Sequence, residues 1–256
     1  MFYILSVGPI PSHIAFVMDG NRRYAKKQKL VAGAGHGGGL FALMSMLKNC
    51  YELGVGLVTV YAFSIDNFKR WPQEVQSVME LMLEKIEGME LRVYFIGNLK
   101  LLSEPIRLAA ERAMEATANN SKVVLSIRMA YTSTNEILIA AQKSCKEEWE
   151  EVRGSRTSGF GCSLIGLEDT ELCPNEQIDL VDLEKHMYMS VAPDPHIIIH
   201  TSGETRLSNF LLWQSSHMQL YSPSELWPEI GFWHLVWSVL NFQQNYFYLN
   251  RIRKQI

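Results

Sequence analysis

Six short runs of apolar residues recur along the chain, and each has the length of a β-strand rather than of a helix. The second run, 57–63, is almost continuously apolar, which is typical of a parallel strand that is covered on both faces. The first run is bounded by Pro11 and by a turn signal at Asp19-Gly20-Asn21, which indicates a short buried strand. The predicted strands are 13–18, 57–63, 91–98, 123–131, 195–200 and 219–222.

Helical patterns separate these runs. Over 40–51, apolar side chains recur every three or four residues and therefore share one face, and Gly54 then fits a C-terminal cap. Strands that alternate with helices predict an α/β fold, here a single domain over 1–256 with a mostly parallel six-stranded sheet flanked by helices. Further helices are predicted at 71–86, 103–118, 132–150, 178–187 and 232–252.

Two stretches interrupt this alternation. Five glycines lie between 31 and 39, which predicts either a mobile loop or a loosely wound start of the next helix, and His36 is the only titratable side chain there. From 151 to 177, glycine, serine, threonine and scattered charges dominate without any period. We therefore predict a poorly ordered surface insertion at 151–177.

The composition restricts the class of protein. Hydrophobic residues at 47% and charged residues at 20% are ordinary for a globular protein, and a net charge of −3 leaves no basic footprint for nucleic acid. The four cysteines lack C-x-x-C spacing, so free thiols are expected rather than a disulfide framework. The apolar segment 1–7 is too short to span a bilayer and lacks the basic region of a signal peptide. It is expected to pack against the protein itself, a partner or a membrane surface.

Polar clusters follow three of the predicted strands, at 19–23, 64–70 and 200–208. Ligands bind beyond the carboxyl ends of strands in parallel sheets, so the three clusters are expected to converge. Asp19 offers carboxylate oxygen for Mg²⁺, helix N–H groups attract phosphate, and arginine binds phosphate through two parallel hydrogen bonds. These features suggest a diphosphate–metal site, with an ordinary strand-to-helix turn capped by Asp19 as the alternative. The sequence has no Ser-His-Asp order, no Cys/His metal set and no G-x-x-x-x-G-K-[ST] loop.

Four ordered motifs resemble those of the cis-prenyltransferases, the family of undecaprenyl and dehydrodolichyl diphosphate synthases and rubber-type enzymes. The motifs are HIAFVMDGNRRYAKK, the glycine-flanked His36, VTVYAFSIDNFKR, and IIIHTSGETRLSNFLLWQ with LWPE at 226–229. The resemblance covers nearly the whole chain and is closest to plant-like eukaryotic members. It implies an undecaprenyl diphosphate synthase-like fold with a hydrophobic tunnel, and Mg²⁺ as cofactor. It also implies condensation of isopentenyl diphosphate onto an allylic primer, such as farnesyl diphosphate, with cis geometry.

The resemblance also assigns roles to individual residues. Asp19 matches the aspartate that holds Mg²⁺ and diphosphate, and Asn67 matches the residue assigned to proton removal from the isopentenyl unit. These two are the implied catalytic residues. The implied substrate-binding residues are Gly20, Asn21, Arg22, Arg23, Tyr24 and His36 for the allylic diphosphate, Ser64, Asp66, Phe68 and Arg70 around Asn67, and His200, Arg206 and Ser208 for isopentenyl diphosphate.

The chain departs from the family pattern at several positions. His200 stands where the family has arginine, and histidine is shorter and largely neutral at pH 7. Ala32 and Gln219 replace an arginine that contacts phosphate and a glutamate that binds metal in bacterial members. The short connection 88–90 replaces a longer segment, so part of the tunnel wall is expected to be missing.

The last departure concerns assembly. Residues 250–256 contain no R-x-G motif, which a Nogo-B-receptor-like accessory subunit supplies to eukaryotic members of the family. The resemblance therefore implies a heteromer at the cytoplasmic face of the endoplasmic reticulum, attached to the membrane through that partner. The aromatic residues of 232–252 offer a surface for it.

Two alternatives stay open. One is a catalytically impaired subunit, which His200 and the short connection favour; the other is a phosphatase with Asp19 as nucleophile, which lacks the usual second acid at Asn21.

Overall fold

The computed structural model describes residues 2–31, 34–65, 90–157, 179–188 and 192–253. Several predictions therefore fall outside the described residues and stay predictions. They concern Ala32, the predicted helix 71–86, residues 88–89 of the short connection, most of the insertion at 151–177, and the site residues Asp66, Asn67, Phe68 and Arg70.

Six strands in the described residues form one sheet, in the order β3-β4-β2-β1-β5-β6. Every neighbouring pair is parallel, which confirms the predicted α/β fold. Parallel pairing requires a crossover between successive strands. α-Helices occupy the described connections from β1 to β2, from β3 to β4 and from β4 to β5, whereas the connection from β5 to β6 contains only the short 3-10 helix Trp213–Ser215. The strands are β1 His13–Val17, β2 Leu57–Ser64, β3 Leu91–Ile96, β4 Val123–Tyr131, β5 Ile197–His200 and β6 Gln219–Tyr221.

The central position of β1 decides where the polar clusters meet. All five residues of β1 are buried, and the strand lies between β2 and β5. In register, Val17 is the partner of Tyr61 on one side and of His200 on the other. The chain segments that leave these three strands therefore emerge side by side at the carboxyl edge of the sheet.

The helices agree with the predicted ones except at two boundaries. The helix predicted from 40 begins at Ala34, so the glycine stretch is the start of a helix and not a loop. The helix predicted to end near 150 continues to Thr157, which corrects the predicted start of the irregular insertion. The helices are α1 Phe2–Leu5, α2 Asn21–Lys27, α3 Ala34–Leu53, α4 Glu104–Ala116, α5 Ser133–Thr157, α6 Leu180–Lys185 and α7 Phe232–Arg253.

The chain divides into two compact units. The first, Met1–Ser133 with Pro193–Ile256, contains the whole sheet and every residue of the candidate site. The second, Thr134–Ala192, contains most of α5 together with α6, and there the N–H of Tyr188 donates to Oε1 of buried Glu136 at 2.9 Å. The single domain expected over 1–256 stays a prediction.

The N-terminal segment packs against the first unit. Leu5 is buried in the core, and its backbone carbonyl accepts a hydrogen bond from Nε2 of Gln243 on α7 at 2.7 Å. None of the helices in the described part of the chain has the length and hydropathy that a membrane crossing requires. Among the described residues, Cys50 and Cys145 are free thiols, and burial raises the pKa of Cys50 to about 12.

Candidate active site

Asp19 follows β1, and its backbone is held by the loop that follows β5. The hydroxyl Oγ1 of Thr201 lies 2.7 Å from the Asp19 carbonyl oxygen and accepts the Asp19 N–H at 3.1 Å. The same carbonyl accepts the hydroxyl of Ser202 at 3.0 Å and the backbone N–H of Trp227 at 2.9 Å. The turn after β1, the loop after β5 and the segment around Trp227 are therefore joined at one group, the backbone carbonyl of Asp19.

Gly20 allows the chain to turn from β1 into α2. Its φ is +111°, in the region that residues with a side chain rarely adopt. A Cβ atom on Gly20 would lie 2.8 Å from Oγ of Ser202 and 2.9 Å from Cβ of Leu226. Both the backbone angle and the space therefore require glycine between Asp19 and Asn21.

The side chain of Asp19 points to partly open space and already has one cationic neighbour. Its Oδ2 atom lies 3.0 Å from Nη2 of Arg23, one helical turn along the chain, and both side chains remain substantially exposed. No cluster of three or more metal-ligating histidine, cysteine or acidic side chains occurs in the described ranges. Within those ranges, a cation at Asp19 would take its other ligands from substrate or water.

A cavity of about 350 Å³ opens beside Asp19 at the carboxyl edge of the sheet. Eight of the predicted site residues line it, contributed by the turn after β1, the ends of β2 and β5, and the starts of α2 and α3. They are Asp19, Gly20, Asn21, Arg22, Arg23, His36, Ser64 and His200. The structure thus brings together residues up to 181 positions apart in sequence, as the convergence of strand ends predicted.

Of the predicted site residues that the structure describes, three do not line this cavity. They are Tyr24, Arg206 and Ser208. Arg206 is exposed, and its Nη1 atom lies 3.4 Å from Oε2 of Glu204 in the same loop. Ser208 has a φ of +50° within a tight turn. Gln219 pairs with Ile197 at the amino end of β5, away from the carboxyl edge where the cavity opens.

His200 is built into the floor of the site. Its side chain is 2% exposed, and Nδ1 lies 2.7 Å from the backbone carbonyl of Arg206, to which it donates. Burial lowers the pKa of His200, and the hydrogen bond to that carbonyl only partly opposes the effect. The imidazole is therefore neutral at pH 7, and it fixes the loop from Thr201 to Arg206 instead of supplying a positive charge.

Trp227 was not predicted as a site residue, although it belongs to the LWPE motif. It is fully buried, and its indole N–H donates to the carbonyl of Gly39 in α3 at 2.8 Å. Its ring meets Phe16 of β1 edge-on, with 5.7 Å between centroids. Trp227 therefore joins α3 to the Asp19 turn, a role that depends on contacts distant in sequence.

Next to Trp227, an ion pair connects the same segment to α2. Nζ of Lys27 lies 2.6 Å from Oε1 of Glu229, and this hydrogen bond lowers the pKa of Glu229. Lys27 is at the end of α2, whereas the cavity is at its start. The two ends of α2 are therefore both attached to the segment around Trp227.

The wall formed by β2 is aromatic and rigid. Tyr61 lines the cavity and stacks on Phe210, with 4.7 Å between ring centroids and 15° between planes. Its hydroxyl donates to the carbonyl of Tyr131 at 3.1 Å, and the Tyr131 ring packs edge-on against both other rings. The remaining lining residues are Gly39 of the glycine stretch and six apolar residues of the predicted strands and helix, which the sequence did not mark as site residues. These six are Val17, Met18, Leu40, Leu43, Ala62 and Phe63.

Residues 17–248 match the protein family described as putative undecaprenyl diphosphate synthase. The chain belongs to this family. It is therefore a cis-prenyltransferase, and the match confirms the enzyme class and the long-chain polyprenyl diphosphate product class that the motifs implied.

Two curated relatives illustrate the similarity. A dehydrodolichyl diphosphate synthase of Solanum lycopersicum is 60% identical over 266 residues, which covers 100% of this chain and 92% of the relative. The dehydrodolichyl diphosphate synthase complex subunit of Homo sapiens is 39% identical over 262 residues, which covers 98% of this chain and 72% of the relative.

A solved structure shares the fold. The crystal structure of lavandulyl diphosphate synthase from Lavandula x intermedia in complex with dimethylallyl diphosphate superposes with a TM-score of 0.76 and 24% identity. The match covers 91% of this chain and 95% of that chain. At this identity the likeness concerns the fold, and it agrees with the parallel sheet described above.

Proposed function

We propose that this cis-prenyltransferase condenses isopentenyl diphosphate onto an allylic diphosphate primer such as farnesyl diphosphate. Its product would be a long-chain polyprenyl diphosphate of the dolichol-precursor type. The observation that carries the proposal is the cavity at Asp19, where one carboxylate, two arginines and two histidines surround a space of about 350 Å³. The name of the Solanum relative supports the product class.

In this proposal the allylic diphosphate binds at the start of α2. Arg22, Arg23 and His36 all line the cavity, so their donors reach a phosphate group placed beside Asp19. Arginine donors to phosphate form charge-assisted hydrogen bonds, which are stronger than neutral ones. Tyr61, Leu40 and Leu43 present an apolar wall to the prenyl part of the primer.

The donor set at Asp19 fits Mg²⁺. This cation commonly binds through one or two carboxylates together with substrate phosphates and water, and Asp19 supplies one carboxylate next to the diphosphate region. When bound, the cation neutralises the leaving diphosphate. Arg23, now 3.0 Å from Asp19, is close enough to turn to a phosphate oxygen when a cation takes the carboxylate.

The reaction breaks the bond between the allylic carbon and its diphosphate oxygen, and a new carbon–carbon bond forms with the isopentenyl double bond. A proton then leaves the isopentenyl unit. We assign its removal to the region of Asn67, with Asp66, Phe68 and Arg70 nearby, on the motif alone. Ser64, at the end of β2, lines the same cavity as Asp19 and precedes this region in the sequence.

Isopentenyl diphosphate is proposed to bind on the β5 side of the cavity. His200 lines that side, while Arg206 and Ser208 lie in the loop that His200 holds. Because His200 is neutral, this chain offers one cation fewer there than the family pattern does. That observation favours a second candidate function, an impaired subunit that binds prenyl diphosphates but elongates them slowly.

We further propose that the chain works with a Nogo-B-receptor-like accessory subunit at the cytoplasmic face of the endoplasmic reticulum. The name of the human relative, a dehydrodolichyl diphosphate synthase complex subunit, supports a partner. The exposed aromatic side chains of α7 provide an apolar surface for it. These residues are Trp233, Trp237, Phe247 and Tyr248.

Incorporation of radiolabelled isopentenyl diphosphate tests these proposals. The purified chain is assayed with farnesyl diphosphate and Mg²⁺, alone and with the accessory subunit, and the product length is read by chromatography. Long-chain product that appears only on mixing supports the heteromer, whereas full synthesis by the chain alone contradicts it. Binding of the primer without incorporation in either condition contradicts the catalytic assignment and favours the impaired subunit.

A further inference from the structure

The first turns of α3 have a face without side chains, formed by Gly35 and Gly39. These glycines are one helical turn apart and both face Asn21, the first residue of α2. A Cβ atom on Gly39 would fall within 3.0 Å of Asn21 Oδ1, and one on Gly35 within 3.0 Å of the Asn21 carbonyl oxygen. Real Cβ atoms do not approach polar atoms so closely, so the contact requires glycine at position 35, whereas at position 39 a side chain would displace the Asn21 amide.

We propose that Gly35 and Gly39 are positioning residues for the allylic diphosphate. They allow the start of α2 to lie directly against α3, and this contact sets the distance between the Asp19 turn and His36. The inference rests on the proposed function, because it concerns the same diphosphate. His36 lies between the two glycines and lines the cavity together with Gly39 and Asn21.

Trp227 joins α3 to the same turn through two further hydrogen bonds. The carbonyl of Gly39 accepts the indole N–H of Trp227, and the backbone N–H of Trp227 donates to the Asp19 carbonyl. A Cβ atom on Gly39 would also lie 3.1 Å from Cδ1 of Trp227. Gly39 is therefore enclosed between Asn21 and the tryptophan that holds the turn.

The Asn21 side chain is not fully hydrogen-bonded in this arrangement. Its Nδ2 donates weakly to the Met18 carbonyl at 3.3 Å, while Oδ1 is buried without a hydrogen-bond partner among the described residues. Unsatisfied buried oxygens are unfavourable, and glycine lowers helix stability relative to alanine. The segment keeps both features where the diphosphate is proposed to bind, which favours a functional reason.

The two glycines differ in what an added methyl group would meet, and this gives distinct expectations. At Gly39 the methyl meets the Asn21 amide, a side chain that can rotate away. At Gly35 it meets the Asn21 backbone, so the turn itself would have to shift. At Gly37, on the same helix, nothing lies within 4 Å. Gly37→Ala is therefore the matched control, with the same change in helix propensity.

The test measures binding of farnesyl thiodiphosphate, a slowly reacting allylic analogue, by isothermal titration, together with the melting temperature. We expect Gly39→Ala to weaken binding by about tenfold and Gly35→Ala by more, since small displacements in such sites have large effects. Gly37→Ala should bind like the wild type. In turnover assays, Gly39→Ala should raise KM for the primer, with KM for isopentenyl diphosphate unchanged.

The outcomes separate the two proposals. If the wild type fails to bind the analogue, the proposed function is wrong; if all three variants bind like the wild type, the positioning role is wrong. If the melting temperature of Gly39→Ala is lower than that of the wild type, the double variant Asn21→Ala/Gly39→Ala tests whether the contact with Asn21 is the cause. Recovery of its melting temperature supports the contact, because truncation removes the atoms that alanine would meet, and no recovery contradicts it. Asn21→Ala is not expected to rescue Gly35→Ala, whose methyl meets the backbone.

Discussion

The hydroxyl of Thr201 lies 2.7 Å from the backbone carbonyl of Asp19, although the two residues are 182 positions apart. The same hydroxyl accepts the Asp19 N–H at 3.1 Å, so one side chain satisfies both polar groups of the peptide backbone at the proposed metal ligand. Thr201 has no exposed surface. The geometry of the site thus depends on a residue that need not touch substrate.

Thr201→Val should lower both stability and activity. Valine keeps the shape but removes the hydrogen bonds of the hydroxyl to Asp19, each of which typically contributes about 0.5–1.5 kcal/mol, while the Asp19 carbonyl keeps those from Ser202 and Trp227. Denaturant unfolding measures that cost, and the incorporation assay measures kcat/KM. Thr201→Ser, which retains the hydroxyl, should restore most of both; equal losses in the valine and serine variants would show that packing is what matters.

Asp19→Ala should abolish Mg²⁺-dependent condensation while the fold stays intact. The carboxylate is 40% exposed, and its ion pair with Arg23 is of the kind that contributes about 0–1 kcal/mol to stability. Circular dichroism and the melting temperature check the fold, and isopentenyl incorporation checks the activity. Turnover near the wild-type level would remove Asp19 from the catalytic assignment.

His200→Arg should strengthen the binding of isopentenyl diphosphate. Arginine brings a permanent cation to the β5 side of the cavity and can still donate to the Arg206 carbonyl, as His200 does at 2.7 Å. KM for isopentenyl diphosphate is the measured quantity, with His200→Gln as a control that keeps a donor without the charge. An unchanged KM in the arginine variant would mean that position 200 does not contact phosphate in this chain.

The buried His200 also predicts a loss of stability in acid. Its pKa lies below the ordinary value of 6.5, because burial disfavours the charged ring. As the pH falls below the unfolded-state pKa of about 6.5, the unfolded chain binds a proton that the folded chain does not, so the free energy of unfolding decreases. Urea unfolding from pH 7.5 to pH 5 should show this slope, and His200→Gln should reduce it. Parallel curves for the two proteins would contradict the assignment.

The sheet could be predicted from the sequence because its signal is local. Continuous apolar runs such as 57–63 mark buried parallel strands, and polar residues at their ends mark the edge where ligands bind. The sequence left open whether the glycine stretch is a loop or the start of a helix, because glycine is common in loops. The reason for glycine in this helix is the packing of Asn21 against Gly35 and Gly39, which only the structure shows. A contact between separate helices leaves no periodic pattern in either one.

Other features were missed for related reasons. The end of α5 at Thr157 has few apolar residues, so hydrophobic periodicity fades before the helix ends. The contact of Trp227 with Gly39 joins residues 188 positions apart, and no spacing rule reaches so far. The motif assigns Arg206 to isopentenyl diphosphate but does not indicate that its side chain lies close to Glu204 in the same loop.

The position of β1 between β2 and β5 has a consequence for biosynthesis. The aspartate of the site leaves the ribosome early, but the hydroxyl that holds its carbonyl is made 182 residues later. At typical rates of translation that interval lasts roughly 10 to 35 seconds. Until β5 pairs with β1, the nascent chain contains Asp19-Gly20-Asn21 without the hydrogen bond from Thr201 that holds this turn. Prematurely terminated chains of this enzyme should therefore be inert towards prenyl diphosphates, so they would not sequester substrate.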